Sequence, residues 1–548
     1  MIIFETLKFF LLGLVSFLSF SGYGLIYTAR YKFNILISFF LGFIILSLLI
    51  TITHFFYKID FYVNFLILFI GIIFFFVNKK TYNINIFNKN FFIYVAILLV
   101  LTPIFLTHKY HEDFGYYHLP YLITFAEHKL IFGLANTNDA FIHNSLWLNV
   151  LGIHLLPEKN FNFVTLSTFL VYACFIIFCF YKNFEITKKK VSTYFIIICL
   201  FYIILKFTRL SEFGNDIPAT IFSILSVFYF LKFIESNKIE KQYQFFFLNF
   251  TFTIFAILIK FSSIPIIFLT IYIFVKNFRK LFNQILRIEF VLIYLLTFVF
   301  FLQQFFYTGC LIFPSKFSCL NVSWFNDEIL LLRKNIELIN KSYYYFSGII
   351  SEKEYLQDFN WIPFWFQRNL NEILEHLLTM IIPIILLLSF SKKKEKNIFE
   401  FNKKKIYILF LIIYFIFWFK FSPVFRFAIP FFLSLIFIFT INIFTYREIT
   451  KKSFMIIFSI ALLFNLSKNT LRLSQKDKIY FGIEKVSNFF VKDKSSENDF
   501  IKVYKPDLNK NNNGWQGRLC WDIPFLCSYN QIVVNKNNGY LFISKLRD

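Results

Sequence analysis

Residues 34–56 read NILISFFLGFIILSLLITITHFF and contain no Asp, Glu, Lys or Arg. A helix needs about 20 mostly apolar residues to cross the hydrocarbon core of a bilayer. This stretch therefore predicts one membrane-spanning helix. Similar apolar runs recur along most of the chain, and Lys residues are concentrated in the short gaps between them. By the same length criterion we predict about fourteen spans, near residues 6–28, 34–56, 61–78, 91–107, 161–181, 191–207, 217–234, 243–259, 261–275, 288–306, 372–391, 406–421, 427–446 and 453–468.

The overall composition agrees with a membrane protein. The chain of 548 residues is 58% hydrophobic and only 16% charged, whereas soluble domains carry about 25% charged residues. This composition excludes a soluble globular enzyme and a disordered protein. In a soluble chain, the net charge of +24 would favour nucleic-acid binding. Here it has a topological explanation, so we expect no nucleic acid among the partners.

The gaps between spans alternate in their content of Lys and Arg. One set, at 29–33, 79–90, 182–190, 235–242, 276–287, 392–405 and 447–452, carries 25 Lys or Arg in 66 residues. The other set, at 57–60, 108–160, 208–216, 260, 307–371 and 422–426, carries 13 in 137 residues. Cytoplasmic loops are enriched in Lys and Arg. The first set is therefore predicted to be cytoplasmic, and both termini are predicted to lie outside, in a bacterial inner membrane.

The cysteines offer a separate test of this topology. Three of the seven fall inside predicted spans, and the other four, Cys310, Cys319, Cys520 and Cys527, lie in segments assigned to the outside. Closely spaced pairs in an oxidising compartment favour disulfides. The alternative is a zinc site, but the spacing lacks the Cys-x-x-Cys pattern typical of zinc ligands. We therefore predict two disulfides.

This pattern divides the chain into three parts. Residues 1–90 form an N-terminal three-helix membrane segment, and 91–468 form a transmembrane core with two large outer loops at 108–160 and 307–371. Residues 469–548 form a small extracytoplasmic C-terminal appendage. The predicted fold is thus an all-α polytopic membrane protein with an added tail. A Walker pattern is absent from the sequence, so ATP-driven transport by this chain alone is not expected.

The first outer loop carries the most unusual run of titratable residues, from His108 to His118. Clustered titratable groups are more typical of functional sites than isolated ones. The adjacent carboxylates Glu112 and Asp113 are candidate catalytic residues, and the candidate substrate ligands beside them are His111, Tyr117 and His118. A divalent metal ion is compatible with this cluster but is not specified by it. The structural alternative is that Asp113 caps the following helix and the Tyr residues lie at the membrane interface.

An amphipathic helix is predicted directly after this run. Pro120 is tolerated only in the first turn of a helix, and the apolar residues that follow fall on one helical face: Leu119, Leu122, Ile123, Ala126 and Leu130. This pattern predicts a helix that lies in the membrane interface. A second polar and aromatic run, from Asn136 to Asn149, is expected to pack nearby.

Ionisable residues at the outer ends of other spans form a second candidate set, Arg209, Asp216, Lys260 and Arg426. Each has a structural alternative, either a long side chain reaching the lipid headgroups or an acid–base pair that holds helices in register. Cations and carboxylates that converge on one face also suit a phosphate-bearing lipid together with an acid or base residue. We therefore include them as candidate substrate ligands.

Four motifs resemble those of known proteins: Glu112-Asp113-Phe-Gly-Tyr-Tyr-His118-Leu-Pro, Phe213-Gly-Asn-Asp216-Ile-Pro, Ser422-Pro-Val-Phe-Arg426-Phe and Cys520-Trp521 to Cys527. The architecture, with an acidic pair in the first long outer loop, an amphipathic helix after it and many further spans, resembles the GT-C superfamily of multi-pass glycosyltransferases. The closer resemblance is to a group of bacterial membrane proteins of unassigned function that share an acidic-x-x-Tyr-Tyr-His-Leu-Pro loop. Typical superfamily members place the acidic loop after their first span. Here, three predicted spans precede the span that leads into this loop.

The resemblance implies an enzyme that moves a sugar from a polyprenyl-phosphate-linked donor to an envelope glycan, lipid or protein acceptor. It assigns the role of base, or of orienting the acceptor, to Asp113 or Glu112. The alternatives are a polymerase of lipid-linked glycans, a transporter or flippase, and a non-catalytic scaffold. Transporters usually carry polar residues near mid-membrane on broken helices. Here Lys206, Lys232, Gln303, Gln304 and Lys420, near span ends, are the residues that could line a path.

Overall fold

The computed structural model describes residues 2–31, 33–78, 91–106, 113–155, 161–185, 190–207, 210, 214–313, 315–325, 328–393, 404–444, 446–474, 495–498, 501–506, 519–521, 523 and 525–546. The first half of the chain forms helices α1 (Ile2–Tyr31), α2 (Ile35–Phe56), α3 (Phe61–Asn78), α4 (Phe91–Leu106), α5 (Leu119–Glu127), α6 (Leu146–Leu151), α7 (Thr165–Glu185), α8 (Val191–Leu205), α9 (Asp216–Glu235) and α10 (Ile239–Ile259).

The second half continues the helical bundle and adds two helices outside it. Its helices are α11 (Ile267–Lys276), α12 (Phe278–Ile285), α13 (Ile288–Thr308), α14 (Ile329–Asn340), α15 (Glu352–Leu356), α16 (Trp361–Ser389), α17 (Lys404–Phe421), α18 (Ile429–Phe444) and α19 (Lys451–Ser474). The short strands are β1 (Ile131–Phe132), β2 (Lys392–Lys393), β3 (Arg447–Glu448), β4 (Ser495–Asn498), β5 (Ile501–Tyr504), β6 (Leu526–Cys527), β7 (Ile532–Asn537) and β8 (Tyr540–Lys545).

The first three helices pack unusually closely. The side chain of Asn34 accepts a hydrogen bond from the backbone N–H of Ile37 at 2.9 Å and thereby caps α2. A Cβ added at Gly42 would lie 1.6 Å from the carbonyl oxygen of Phe20, and one at Gly24 would lie 1.7 Å from that of Ser38. Small residues let membrane helices approach to backbone contact. These two glycines therefore fix α1 against α2.

Among the described residues, ten helices are long and apolar enough to cross a membrane, or eleven if the bent pair around α11 and α12 forms one span. The chain is therefore a predominantly α-helical, multi-pass membrane protein. Each of the fourteen predicted spans coincides with a helix, but four fall short of this standard. Helices α4 and α8 are short, α11 is followed by a bend of 111°, and α17 carries Lys404, Lys405 and Lys420. The count of fourteen stays an expectation.

Contacts at the ends of the helices divide the connecting segments into the same two sets as the distribution of Lys and Arg does. On one side of the bundle, the Gln244 side chain donates to the carbonyl of Tyr31 at 2.7 Å, and β2 pairs with β3. On the other side, the backbone N–H of Ile59 donates to the carbonyl of Phe125 at 3.1 Å. Helix α8 connects the two sides although it is short. Ser192 at its start binds the carboxylate of Glu235, and Lys206 follows its other end.

The loop at 113–155 and the C-terminal tail pack together in one layer, which we call the cap. Strand β1 pairs in parallel with β8, and β8 pairs with β7 through a hairpin whose turn residues Asn538 and Gly539 have φ of 48° and 75°. An Asn-Gly turn with positive φ at both positions is typical of a tight hairpin. The Asn136 side chain donates to the carbonyls of Trp324 and Ile543, and so joins three separate segments of the chain.

Two expectations need correction here. The membrane bundle is helical, but the C-terminal tail contains strands, so the chain as a whole is not all-α. The sequence signal for the tail hairpin, Asn538-Gly539, was overlooked. Helix α5 does begin with Pro120 in its first turn. However, its residues from Leu119 to Phe125 are all buried within the protein, so α5 does not present its apolar face to lipid. The cap covers the face that the pattern assigned to water, because strand β6 packs on the helix.

Candidate functional site

Asp113 begins the turn that leads into α5. Residues Phe114–His118 form a single π-helical turn, and Asp113 precedes it with helical dihedral angles, φ −52° and ψ −31°. A capping side chain normally leaves the helical region and accepts from the first-turn N–H groups. The Asp113 side chain makes no such capping bond, and the residue is partly exposed. The capping alternative therefore does not describe this carboxylate.

The tail fixes this turn from outside. The backbone N–H of Trp521 donates to the carbonyl of Gly115 at 3.0 Å, and the indole ring packs on the glycine itself. A Cβ added at Gly115 would lie 2.6 Å from the ring. Trp521 stands in the left-handed region, with φ 46°, inside the loop closed by the Cys520–Cys527 disulfide. The conformation of the turn that follows Asp113 thus depends on Gly115 and on Trp521, which lies about four hundred positions further along the chain.

Three ionisable side chains meet beside the membrane core, and we call Asp216, Lys260 and Arg426 the charge cluster. Lys260 Nζ pairs with one oxygen of the Asp216 carboxylate, and Arg426 Nε lies 2.9 Å from the other. Lys260 Nζ also lies 3.5 Å above the centroid of the Phe427 ring. Each residue comes from a different element: the start of α9, the break after α10, and the 3-10 turn Phe425–Ala428.

The charge cluster is neither fully sealed nor free in solvent. The side chains of Asp216 and Lys260 are 18% and 19% exposed, and that of Arg426 is 35% exposed. Burial is the largest influence on Lys260 and lowers its pKa, while Asp216 opposes that shift and Asp113 also favours the charged amine. Lys260 therefore does not extend to the headgroups. Asp113 acts on it electrostatically, which brings the first and second candidate sets together.

His143 joins the same site from the second polar run. Its side chain is exposed, and it lies close enough to Lys260 to be influenced by the positive charge of the ammonium group. Burial and the positive charge of Lys260 lower its pKa to about 4. The polar run also packs against the helical bundle, since Trp147 stacks on Phe43 of α2 with centroids 5.4 Å apart.

A further polar group lies next to the charge cluster. It contains Lys206 and three residues that were not predicted from the sequence: Tyr202, Glu375 and His376. Lys206 Nζ lies 2.8 Å from a carboxylate oxygen of Glu375, and the hydroxyl of Tyr202 lies 2.8 Å from Nδ1 of His376. The His376 ring lies 5.0 Å from that of Phe425, the residue before Arg426. The signal was present in the sequence, because Glu375 and His376 are polar residues in an apolar helix.

The remaining sequence predictions have mixed outcomes. His118 is buried and its ring lies 4.2 Å from that of Tyr117, so it does not line the accessible part of the site. His111, Glu112 and Arg209 lie outside the described residues. Among the residues that the structure describes, there is no group of three or more His, Cys, Asp or Glu that could hold a metal ion.

The comparisons with known proteins identify one family. A family model described as a domain of unknown function (DUF8201) matches residues 7–433, which is most of the chain. The chain belongs to this family. No curated protein and no solved structure matches it.

The DUF8201 match includes Asp113, His143 and all three residues of the charge cluster. It also includes α1, α2 and α3, so the first three helices belong to the matched unit. Trp521 and the disulfide loop around it lie beyond the match. The site of this DUF8201 protein is therefore built from family residues and is covered by a tail outside the family model.

The four cysteines that lie outside the predicted spans form two separate disulfides. Cys310 is joined to Cys319, and Cys520 to Cys527. The two bonds belong to different apolar clusters, one beside α13 and one in the tail. A zinc site would need all four thiolates to converge on one ion, and the pairing does not do this.

Proposed function

We propose that this protein is a GT-C-like membrane glycosyltransferase that uses a polyprenyl-phosphate-linked sugar. The observation that carries the proposal is the electrostatic link between Asp113 and a cluster of two cations around one carboxylate. An accessible site with more than one cation suits the phosphate of a lipid-linked donor. A carboxylate beside it suits the acceptor.

In the proposed reaction, an acceptor hydroxyl or amine forms a bond to the anomeric carbon of the sugar. The bond from that carbon to the phosphate oxygen breaks, and its electron pair leaves with the lipid phosphate. Arg426 and Lys260 would stabilise the negative charge that develops on the leaving phosphate. Asp216 would hold both cations in place. Asp113, together with Glu112, would orient the acceptor or take its proton.

The position of the site supports this function over transport. Gln303 and Gln304, two residues that could line a path, are fully buried and hydrogen-bonded to Asn149 and to the carbonyl of Ile142. Lys232 lies 3.7 Å from Glu235 at the opposite end of α9. These side chains serve packing or local pairing and do not form a continuous route. A glycan polymerase or ligase remains the second enzymatic candidate, since it would use the same cations.

Within this proposal the protein resides in a bacterial inner membrane, with both termini and the site on the outer face. Nucleotide sugars are absent there, so the donor is a lipid-linked sugar. The partners are that donor and the surrounding membrane lipid. The presence of both disulfides in the proposed outer segments agrees with an oxidising compartment.

The test is mass spectrometry of lipid-linked and surface glycans from a strain that lacks the gene. The strain is complemented with the wild type, with Asp113→Asn, or with Glu352→Gln, at matched protein levels. Glu352 is a carboxylate whose side chain is 44% exposed and which pairs with Lys334, and it serves as the matched control. We expect the wild type and the control to restore a missing sugar and Asp113→Asn to leave it missing.

Two outcomes would contradict the proposal. If deletion changes no glycan, the substrate class is wrong. If Asp113→Asn restores the glycan as well as the wild type does, the carboxylate has no chemical role, and transport or scaffolding becomes the better explanation.

A further inference from the structure

His143 differs from His154, His54 and His376, whose ring nitrogens make hydrogen bonds within the protein. His154 Nε2 and Nδ1 contact the hydroxyls of Ser16 and Ser167 at 2.8 and 2.9 Å, His54 Nε2 lies 3.2 Å from the carbonyl of His128, and His376 is bound to Tyr202. Among the described residues, neither ring nitrogen of His143 has a hydrogen-bond partner, and the side chain is exposed. Its ring is therefore available to a bound molecule.

The backbone around His143 is held firmly. The side chain of Gln304 donates to the carbonyl of Ile142 at 2.8 Å, on one side of the residue. On the other side, Asn144 donates to the side chain of Gln303 at 3.0 Å, and the hydroxyl of Ser145 donates to the carbonyl of Ile259 at 2.8 Å. The last bond places the segment directly beside Lys260. The imidazole is thus fixed at the site by its neighbours while its own nitrogens stay unused.

The charges around His143 suit a proton acceptor. Among the described residues, Lys260 is the charged group that acts on it, and Phe313 faces the ring edge with centroids 5.9 Å apart. Burial and, as the smaller influence, the Lys260 cation lower the pKa of the imidazole, so the ring is neutral at pH 7. When an anionic phosphate binds Lys260 and Arg426, their charge is partly neutralised, so the imidazole becomes easier to protonate. The ring therefore becomes a better base only when the donor is bound.

We propose that His143 is the residue that accepts the acceptor's proton. This inference rests on the proposed glycosyl transfer and divides its roles. As the acceptor oxygen or nitrogen bonds to the anomeric carbon, its proton passes to a free nitrogen of His143. The lipid phosphate leaves with the electron pair of the broken bond, and the imidazolium later returns the proton to water. Asp113 orients the acceptor and balances Lys260.

The experiment uses permeabilised membranes of the complemented strain, which contain the natural donor and acceptor, and measures the initial rate of glycan formation between pH 5 and 9. His143→Gln keeps a polar side chain but cannot accept the proton. We expect its rate to fall by about 10²–10⁴-fold, the usual contribution of a general base, with protein level and thermal stability unchanged. The acid limb of the wild-type pH profile should also disappear. His128→Gln, on the same loop, is the matched control.

A second variant keeps the inference testable if His143→Gln folds poorly. In His143→Ala, added imidazole should restore part of the rate, which a purely structural loss would not show. A wild-type rate and pH profile in His143→Gln, or no restoration by imidazole in a folded His143→Ala, would overturn the role of His143 alone. If wild-type membranes form no glycan product, glycosyl transfer itself fails, and this inference fails with it.

Discussion

Two of the polar groups in this apolar protein differ in exposure and in charge. The first is the charge cluster, which is partly exposed and contains two cations for one carboxylate. The second, which we call the neutral network, consists of Tyr121, Asn149, Gln303 and Tyr307, all of which are buried. In the neutral network, the Tyr121 hydroxyl donates to Asn149 at 2.6 Å, and Asn149 donates to Gln303 at 2.9 Å.

The difference separates a structural role from a functional one. Buried polar groups are stable only when their hydrogen bonds are satisfied, and the neutral network satisfies them internally while it attaches the cap to α13. The charge cluster leaves parts of the Arg426 and Lys260 side chains accessible. It therefore retains capacity to bind an anion. Substitutions in the neutral network should affect stability, and substitutions in the charge cluster should affect activity.

The largest effect is expected from Arg426→Gln. Loss of a group that stabilises developing negative charge should lower the rate of glycan formation by about 10²–10³-fold. Stability should change little, because Asp216 keeps its pairing with Lys260. The rate in permeabilised membranes and the unfolding temperature of the purified protein check this. Arg368→Gln, an exposed arginine over the Tyr345 ring, is the control. Wild-type activity in Arg426→Gln would contradict the functional role of the charge cluster.

Asn149→Leu should produce the opposite result. It removes hydrogen bonds with Tyr121, Gln303 and Thr51, and each buried group left without a partner costs about 1–3 kcal/mol. The free energy of unfolding should fall, while the activity per folded molecule stays within a few-fold of the wild type. Chemical or thermal unfolding of the reconstituted protein measures the change, with the exposed Asn321→Leu as the control. Unchanged stability would show that the network does not hold the cap.

Gly115→Ala tests whether the tail and the Asp113 turn depend on each other. The added methyl group would overlap the Trp521 ring, and overpacking of this kind costs about 1–3 kcal/mol. We expect lower stability and lower activity together. Trp521→Ala alone should also reduce both, but the double variant should lose less than the sum of the two, since the overlap is gone. A double-mutant cycle measures this coupling, and strict additivity would contradict the contact.

The smallest effect concerns pH and the buried His154. Burial lowers its pKa to about 3, below the unfolded value of about 6.5, so the unfolded state takes up protons first. The stability that His154 contributes is complete above pH 6.5 and is lost as the pH falls toward 3. Between pH 7.5 and 6 the loss is about 1 kcal/mol. The unfolding temperature should fall less steeply in His154→Asn than in the wild type, and equal slopes would contradict the prediction.

Part of the site could be foreseen because charge in a membrane chain is rare. Asp216, Lys260 and Arg426 stood out as isolated ionisable residues at outer span ends, and the structure brings them together. Asp113 stood out because it belongs to the run of titratable residues from His108 to His118. Tyr202, Glu375 and His376 were overlooked because each lies within an apolar run that, taken alone, reads as an ordinary span. Only the packing of α16 against α8 makes them neighbours.

The sequence by itself determined the multi-pass helical architecture and the grouping of the loops by side. It also determined that four of the seven cysteines lie outside the apolar spans. These properties follow from the preference of each residue for lipid or water and from short-range spacing, so local patterns carry them. Tertiary structure alone decided that α5 is buried under the cap and that Trp521 occupies the space beside Gly115. It also decided that His143 lies near Lys260. Such contacts join residues far apart in the chain, and their partners depend on how the helices pack rather than on any local preference.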